Sequence, residues 1–78
     1  MSSIRVYADF NNREEDGRVR LNTKRSRKDL RKHRLTRNFE WGRALVVHDD
    51  EIECAAKLER GPGDNWLAKL DGEFKEIP

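Results

Sequence analysis

The stretch Ala44-Leu45-Val46-Val47-His48-Asp49-Asp50-Glu51-Ile52-Glu53-Cys54-Ala55-Ala56-Lys57-Leu58-Glu59 decides the fold class. In its second half Ile52, Cys54, Ala56 and Leu58 alternate with Glu53, Ala55, Lys57 and Glu59. A period of two is that of a strand with one buried face, because successive strand side chains point to opposite sides. Residues 44–48 form a nearly continuous apolar run rich in β-branched side chains, which suits a strand buried on both faces or at a barrel bend. The acidic run Asp49-Asp50-Glu51 between them reads as a solvated turn.

Working outward, the same alternation recurs. Ile4, Val6, Ala8 and Phe10 interleave with Arg5, Tyr7 and Asp9, and Val19 and Leu21 with Arg18, Arg20 and Asn22. The polar run between these two segments ends in Asp16-Gly17, a strong turn signal. Together they read as an antiparallel hairpin with a long loop. After the turn Gly61-Pro62-Gly63-Asp64, the residues Trp66, Ala68 and Leu70 mark a fifth strand. Asp71-Gly72 closes it, and Phe74 and Ile77 tuck a short tail onto the core. The apolar phases predict burial of Val6, Phe10, Leu21, Leu45, Val47, Ile52, Cys54, Leu58 and Trp66.

Residues 23–42 break the pattern. Ser26 followed by Asp29 resembles a capped helix start, and the spacing predicts a short helix near 27–34 held by Leu30 and Leu35. Phe39 and Trp41 then return the chain to the core. The expected architecture is one domain over residues 1–78. It is mainly β, a small five-stranded antiparallel SH3-like barrel or strongly bent sheet with one short helix. An OB-like barrel and an open sheet with the helix across one face are the alternatives.

Two stretches, Val6-Tyr7-Ala8-Asp9-Phe10-Asn11-Asn12 with Asp16-Gly17-Arg18-Val19-Arg20-Leu21-Asn22, and Leu45-Val46-Val47-His48-Asp49-Asp50-Glu51-Ile52-Glu53, resemble small bacterial β-rich proteins of uncharacterised function, with SH3-like barrels. The resemblance implies a bacterial, cytoplasmic β protein and carries no activity.

Charge supplies the functional lead. Lys24, Arg25, Arg27, Lys28, Arg31, Lys32, Arg34 and Arg37 lie in one segment with a single acid, Asp29. The whole chain has a net charge of only +2. Residues 1–43 hold 13 basic and 6 acidic side chains, whereas residues 44–78 hold 4 and 9. A dense positive segment attracts polyanions by Coulomb force and counterion release. A second set, Arg5, Tyr7, Arg18 and Arg20, shares the outward face if the first two strands pair, giving a tyrosine platform among arginines on which an unpaired base could stack. The plain alternative is that these are ordinary outward strand positions.

Other groups offer less. Adjacent residues such as His48, Asp49, Asp50 and Glu51 diverge on a strand and do not converge on a metal ion. His33 sits among cations without a carboxylate partner or nucleophile. Cys54 reads as a small core residue, and as the lone cysteine it excludes an internal disulfide. Trp41 and Trp66 read as core or core-rim residues, and an exposed tryptophan would mark a partner site. Gly61-Pro62-Gly63-Asp64 lacks the spacing of a phosphate loop. No leader-type apolar segment opens the sequence, and no apolar run has the ~20 residues of a membrane helix. The expectation is a cytoplasmic, non-enzymatic nucleic-acid-binding module with no cofactor or metal, favouring RNA or single strands over duplex DNA. The alternative is a protein-interaction module whose charges meet an acidic partner or a second copy of the chain.

Overall fold

The two strands on either side of the acidic turn lie in the interior of the sheet. In the computed structural model, which describes residues 4–63 and 65–78, β3 (Arg43–His48) and β4 (Ile52–Arg60) pair antiparallel from Arg43↔Leu58 to His48↔Glu53. The turn between them is tied by Asp49, whose Oδ1 accepts the backbone N–H groups of Glu51 and Ile52, both at 2.9 Å. Asp50 takes a left-handed φ of 81°, a conformation aspartate tolerates better than most residues. The far half of β4 pairs antiparallel with β5 (Trp66–Leu70). The near half pairs with β6 (Lys75–Glu76). Ile52↔Glu76 and Ala56↔Leu70 enclose four steps along β4 but six along the returning chain, so two extra residues are taken up between Leu70 and Lys75, while Asp71 N–H still donates to the Ala55 carbonyl at 2.8 Å. Asp64, in the expected turn before β5, lies outside the described residues, as do residues 1–3.

The sheet is mainly β and curled, an open half-barrel with strand order β1-β3-β4-β5-β2, where β1 is Arg5–Tyr7 and β2 is Val19–Arg20. One helix, α1 (Lys24–Lys32), completes it. The strands are mixed in direction, not all antiparallel. β1 runs parallel to β3, with Arg5↔Val46 and Tyr7↔His48, while β2 pairs antiparallel with β5 at the opposite edge. The expected hairpin of the first two strands is therefore corrected. The Asp16-Gly17 turn does form, with Gly17 at φ 91°, but it folds residues 12–14 onto residues 18–20. Arg13 bridges Val19, Glu14 N–H donates to the Arg18 carbonyl and Arg20 N–H to the Asn12 carbonyl, each hydrogen bond at 2.8 Å. A turn signal gives local chain reversal; it does not say which segment upstream is paired. The parallel β1–β3 pair is possible because the crossover between them carries both β2 and α1.

The helix starts earlier than the sequence pattern predicts. Thr23, not Ser26, is the N-cap, its hydroxyl accepting Ser26 N–H at 3.0 Å. Ser26 faces inward, fully buried, and donates its hydroxyl to the Tyr7 carbonyl at 2.6 Å. One turn further on, Asp29 Oδ2 accepts Tyr7 N–H at 2.9 Å. The two side chains thus satisfy both backbone groups of Tyr7 on the free edge of β1, in place of another strand. At the other end Leu35 N–H reaches the Leu30 carbonyl at 2.9 Å and Arg34 N–H the Arg31 carbonyl at 3.0 Å, with Arg34 at φ 57°. This is a Schellman closure with arginine where glycine is usual, and its two flanking leucines are both buried.

The core gathers Val6, Ala8, Val19, Leu21, Leu30, Leu35, Leu45, Val47, Cys54, Ala56, Leu58 and Ala68. Of the expected core residues, Phe10, Ile52 and Trp66 are only half-buried, since Phe10 lies in the turn beyond β1 and Ile52 and Trp66 begin β4 and β5. Leu67, on the outward phase of β5, is buried: it lies in register with Glu59 and Arg20 on the outer face. There Arg18 donates to Glu59 at 3.0 Å, so that face carries its own layer of paired charge.

Candidate nucleic-acid interface

Anchoring α1 through Ser26, Asp29 and Leu30 turns the rest of its surface outward. Lys24, Arg25, Arg27, Lys28, Arg31 and Lys32 on the helix, and Arg34 and Arg37 in the turns after it, are all exposed. Among the described residues only Arg25 of these eight has a side-chain partner: a bidentate pair with Asp50 across to the β3–β4 turn, at 2.5 and 2.8 Å. That hydrogen-bonded pair holds the Asp50 carboxyl below the usual carboxylate range and raises the Arg25 guanidinium further. Asp29, the one acid of the segment, is engaged with the backbone of β1. The remaining seven cations have no side-chain hydrogen-bond or ion-pair partner among the described residues.

The second set of candidate residues comes apart. Arg5 and Tyr7 lie on β1, and Arg18 and Arg20 lie at or beside β2, at the opposite edge of the sheet. Each arginine is already paired: Arg5 with Glu53 at 3.0 Å, Arg18 with Asp16 at 2.9 Å and Glu59 at 3.0 Å, Arg20 with Glu14 at 2.6 Å. Tyr7 is no open platform either. The Arg25 guanidinium sits over its ring at 4.4 Å, and His48 meets it edge-on at 6.1 Å. The shared outward face inferred from the hairpin does not exist, because the strands do not pair.

An aromatic row, reaching the helix at Trp66, takes its place. Trp66 packs against Phe39, with ring centroids 5.2 Å apart, and Phe39 against Trp41 at 6.4 Å and 84°. Arg60 lies over the Trp66 ring at 5.3 Å. Trp41 does not return to the core as expected: it is 63% exposed on the turn before β3. The signal for this was its setting, Glu40-Trp41-Gly42-Arg43, where polar neighbours and a glycine at φ 79° make a turn tip. Between α1 and β5 lies an open groove of about 510 Å³, lined by Arg27, Leu30, Arg31, Thr36 and Trp66. Arg27 and Arg31 are one helical turn apart and so share a face.

The remaining groups are engaged structurally. His48 Nδ1 lies 3.5 Å from Asp50 Oδ1. Cys54 is buried with its sulfur 3.3 Å from the Gly72 carbonyl oxygen. A cavity at the opposite edge is lined by Arg13, Asp16, Arg18, Glu59 and Lys69, where charges of both signs are interleaved. Among the described residues no group of three or more His, Cys, Asp or Glu side chains could hold a metal ion, and no helix is long and apolar enough to cross a membrane. No protein-family model, curated protein or solved structure matches the chain.

Proposed function

We propose that this protein is a non-enzymatic nucleic-acid-binding module whose contact surface is α1 with the turns that follow it. One observation carries the reading. Arg5, Arg18 and Arg20 on the sheet are matched with acids of the same chain, whereas seven cations of the 24–37 segment have no such partner among the described residues, five of them on α1 and two in the turns that follow it. Keeping so many like charges close together costs self-repulsion, and a polyanion relieves it while releasing its own counterions. The ties from Ser26 and Asp29 to β1 hold the array in place before binding, which lowers the ordering cost on association.

The test is a titration of labelled single-stranded RNA, single-stranded DNA and duplex DNA of mixed sequence at several salt concentrations. Log affinity should fall linearly with log salt, by about 0.7 per neutralised phosphate on single strands and about 0.9 on duplex. Replacing Arg27, Lys28, Arg31 and Lys32 together with glutamine should weaken all sequences alike and flatten that slope, because phosphate contacts carry no base identity. Absence of binding to every polymer at low salt refutes the reading. Salt-sensitive binding of an acidic polypeptide in its place would make the same face a protein-interaction surface.

A further inference from the structure

We infer that the aromatic row that reaches α1 at Trp66 is a single-strand reader, in which an unpaired base stacks on Trp41 while the flanking phosphates meet Arg27 and Arg31 across the groove floored by Trp66 and Leu30. The inference rests on the nucleic-acid reading above and adds to it the class of polymer and the residue that selects it.

Three features of the surface lead to it. The first is the position of Trp41. A chain with a core this small gains most by burying its tryptophans, yet this one holds a large apolar ring in water. Its neighbour Phe39 meets it in a T-shaped contact, 6.4 Å between centroids, which steadies the ring while most of it stays exposed. The second is the contrast with the other aromatic rings near cations. Tyr7 is capped by Arg25 and Trp66 by Arg60, so each already has an arginine on its ring. Trp41 has no cation stacked on it among the described residues, which leaves its π-face to an incoming base. The third is continuity. Trp41, Phe39 and Trp66 form an unbroken run of ring contacts that ends in the groove which Arg27 and Arg31 line from the α1 side.

The chemistry selects the occupant. A phosphate chain requires cations, and Arg27 and Arg31 supply two guanidiniums on one face of α1. A base requires a flat, unoccupied aromatic surface, and stacking tolerates any base because every base has a π-face. In a duplex the bases are stacked on one another and only their edges are reachable, so Trp41 has nothing to receive from it. The polymer that satisfies both halves of the site is a single strand.

The experiment compares the intact protein with Trp41→Ala, Trp41→Phe and Arg27→Gln/Arg31→Gln on dT and rU homopolymers and on duplex DNA, reading affinity by anisotropy and Trp emission by quenching. Trp41→Ala should weaken single-strand binding about 5- to 150-fold and leave duplex binding unchanged. Trp41→Phe should recover most of the loss, since a smaller ring still stacks. The double arginine variant should weaken single strands and duplex alike. Single strands should quench the intact protein's tryptophan emission more than they quench that of Trp41→Phe, which assigns the signal. Because Trp41 is exposed, both of its variants should melt with the intact protein, and the Phe variant serves if the Ala variant does not. Salt-sensitive binding of single strands that is indifferent to Trp41→Ala, or lost equally on duplex, overturns the stacking inference and leaves the basic face as a plain phosphate contact. Failure of every polymer to bind overturns the nucleic-acid reading itself.

Discussion

Ser26→Ala removes one oxygen from the junction between α1 and the sheet, and the structure allows its cost to be worked through. The hydroxyl is fully buried and donates to the Tyr7 carbonyl at 2.6 Å while accepting from the Thr23 hydroxyl at 2.8 Å. Deleting it leaves the Tyr7 carbonyl on the edge of β1 without that donor. An unsatisfied buried acceptor costs about 1–3 kcal/mol. Alanine returns up to about 0.7 kcal/mol through its better helix propensity. The net destabilisation is therefore on the order of 1–2 kcal/mol, a large share of what a domain of this size possesses. At about 4–8 °C per kcal/mol for a small domain, the melting temperature should fall by roughly 5–15 °C. Urea titration followed by tryptophan emission should show a lower midpoint at an unchanged m-value, and amide exchange should accelerate in β1 and α1 ahead of β4. A melting temperature equal to or above that of the parent would show that the Tyr7 carbonyl finds water without cost. The reasoning that a helix side-chain pair seals the edge of β1 would then fail.

Other outcomes follow from the same structure. Arg34→Gly should stabilise the chain by about 1 kcal/mol by urea midpoint, because arginine pays for the left-handed φ of 57° and glycine does not; the same change should lower nucleic-acid affinity slightly by removing one exposed cation. Leu45→Ala should cost about 2–5 kcal/mol in the same assay, as its β3 side chain is buried in the core in register with Ala56 of β4. Asp49 is held below the usual carboxylate range by the N–H groups of Ile52 and Glu51, Asp50 by Arg25, and Asp16 by the Arg18 backbone N–H first and its guanidinium next. A depressed folded-state value means that the unfolded chain takes up protons first. Their stabilisation is complete above about pH 4 and is lost as the pH falls through the folded-state values. Melting temperature should accordingly drop on acidification below pH 4, and Asp49→Asn should flatten that limb.

Much of this molecule was legible in one dimension because strand periodicity is a local property. Ile52, Cys54, Ala56 and Leu58 repeat every second residue, and burial follows that phase for Cys54, Ala56 and Leu58. The acidic turn after His48 and the chain reversal at Asp16-Gly17 were equally local, since each depends on the conformational preference of a few adjacent residues. The concentration of positive charge between Lys24 and Arg37 was visible as well, whereas its pairing was not, since Arg25 finds Asp50 across the fold.

What the sequence by itself determined, then, is the element types, the phase of the central strands and the concentration of positive charge between Lys24 and Arg37. Only the tertiary structure decided which strands meet. Pairing β1 with β3, and β2 with β5, is a choice among long-range contacts of similar local quality, settled by which arrangement lets α1 seal an edge and fill the core with Leu30 and Leu35. That choice separates Arg5 and Tyr7 from Arg18 and Arg20 and pairs each of those arginines with an acid distant or near in sequence. It also leaves Trp41 in water, linked through Phe39 to the Trp66 ring that lines the groove with Arg27 and Arg31. A side chain's exposure is a sum over neighbours contributed by the whole chain, so the aromatic half of the proposed site could be read only once the sheet had curled around its core.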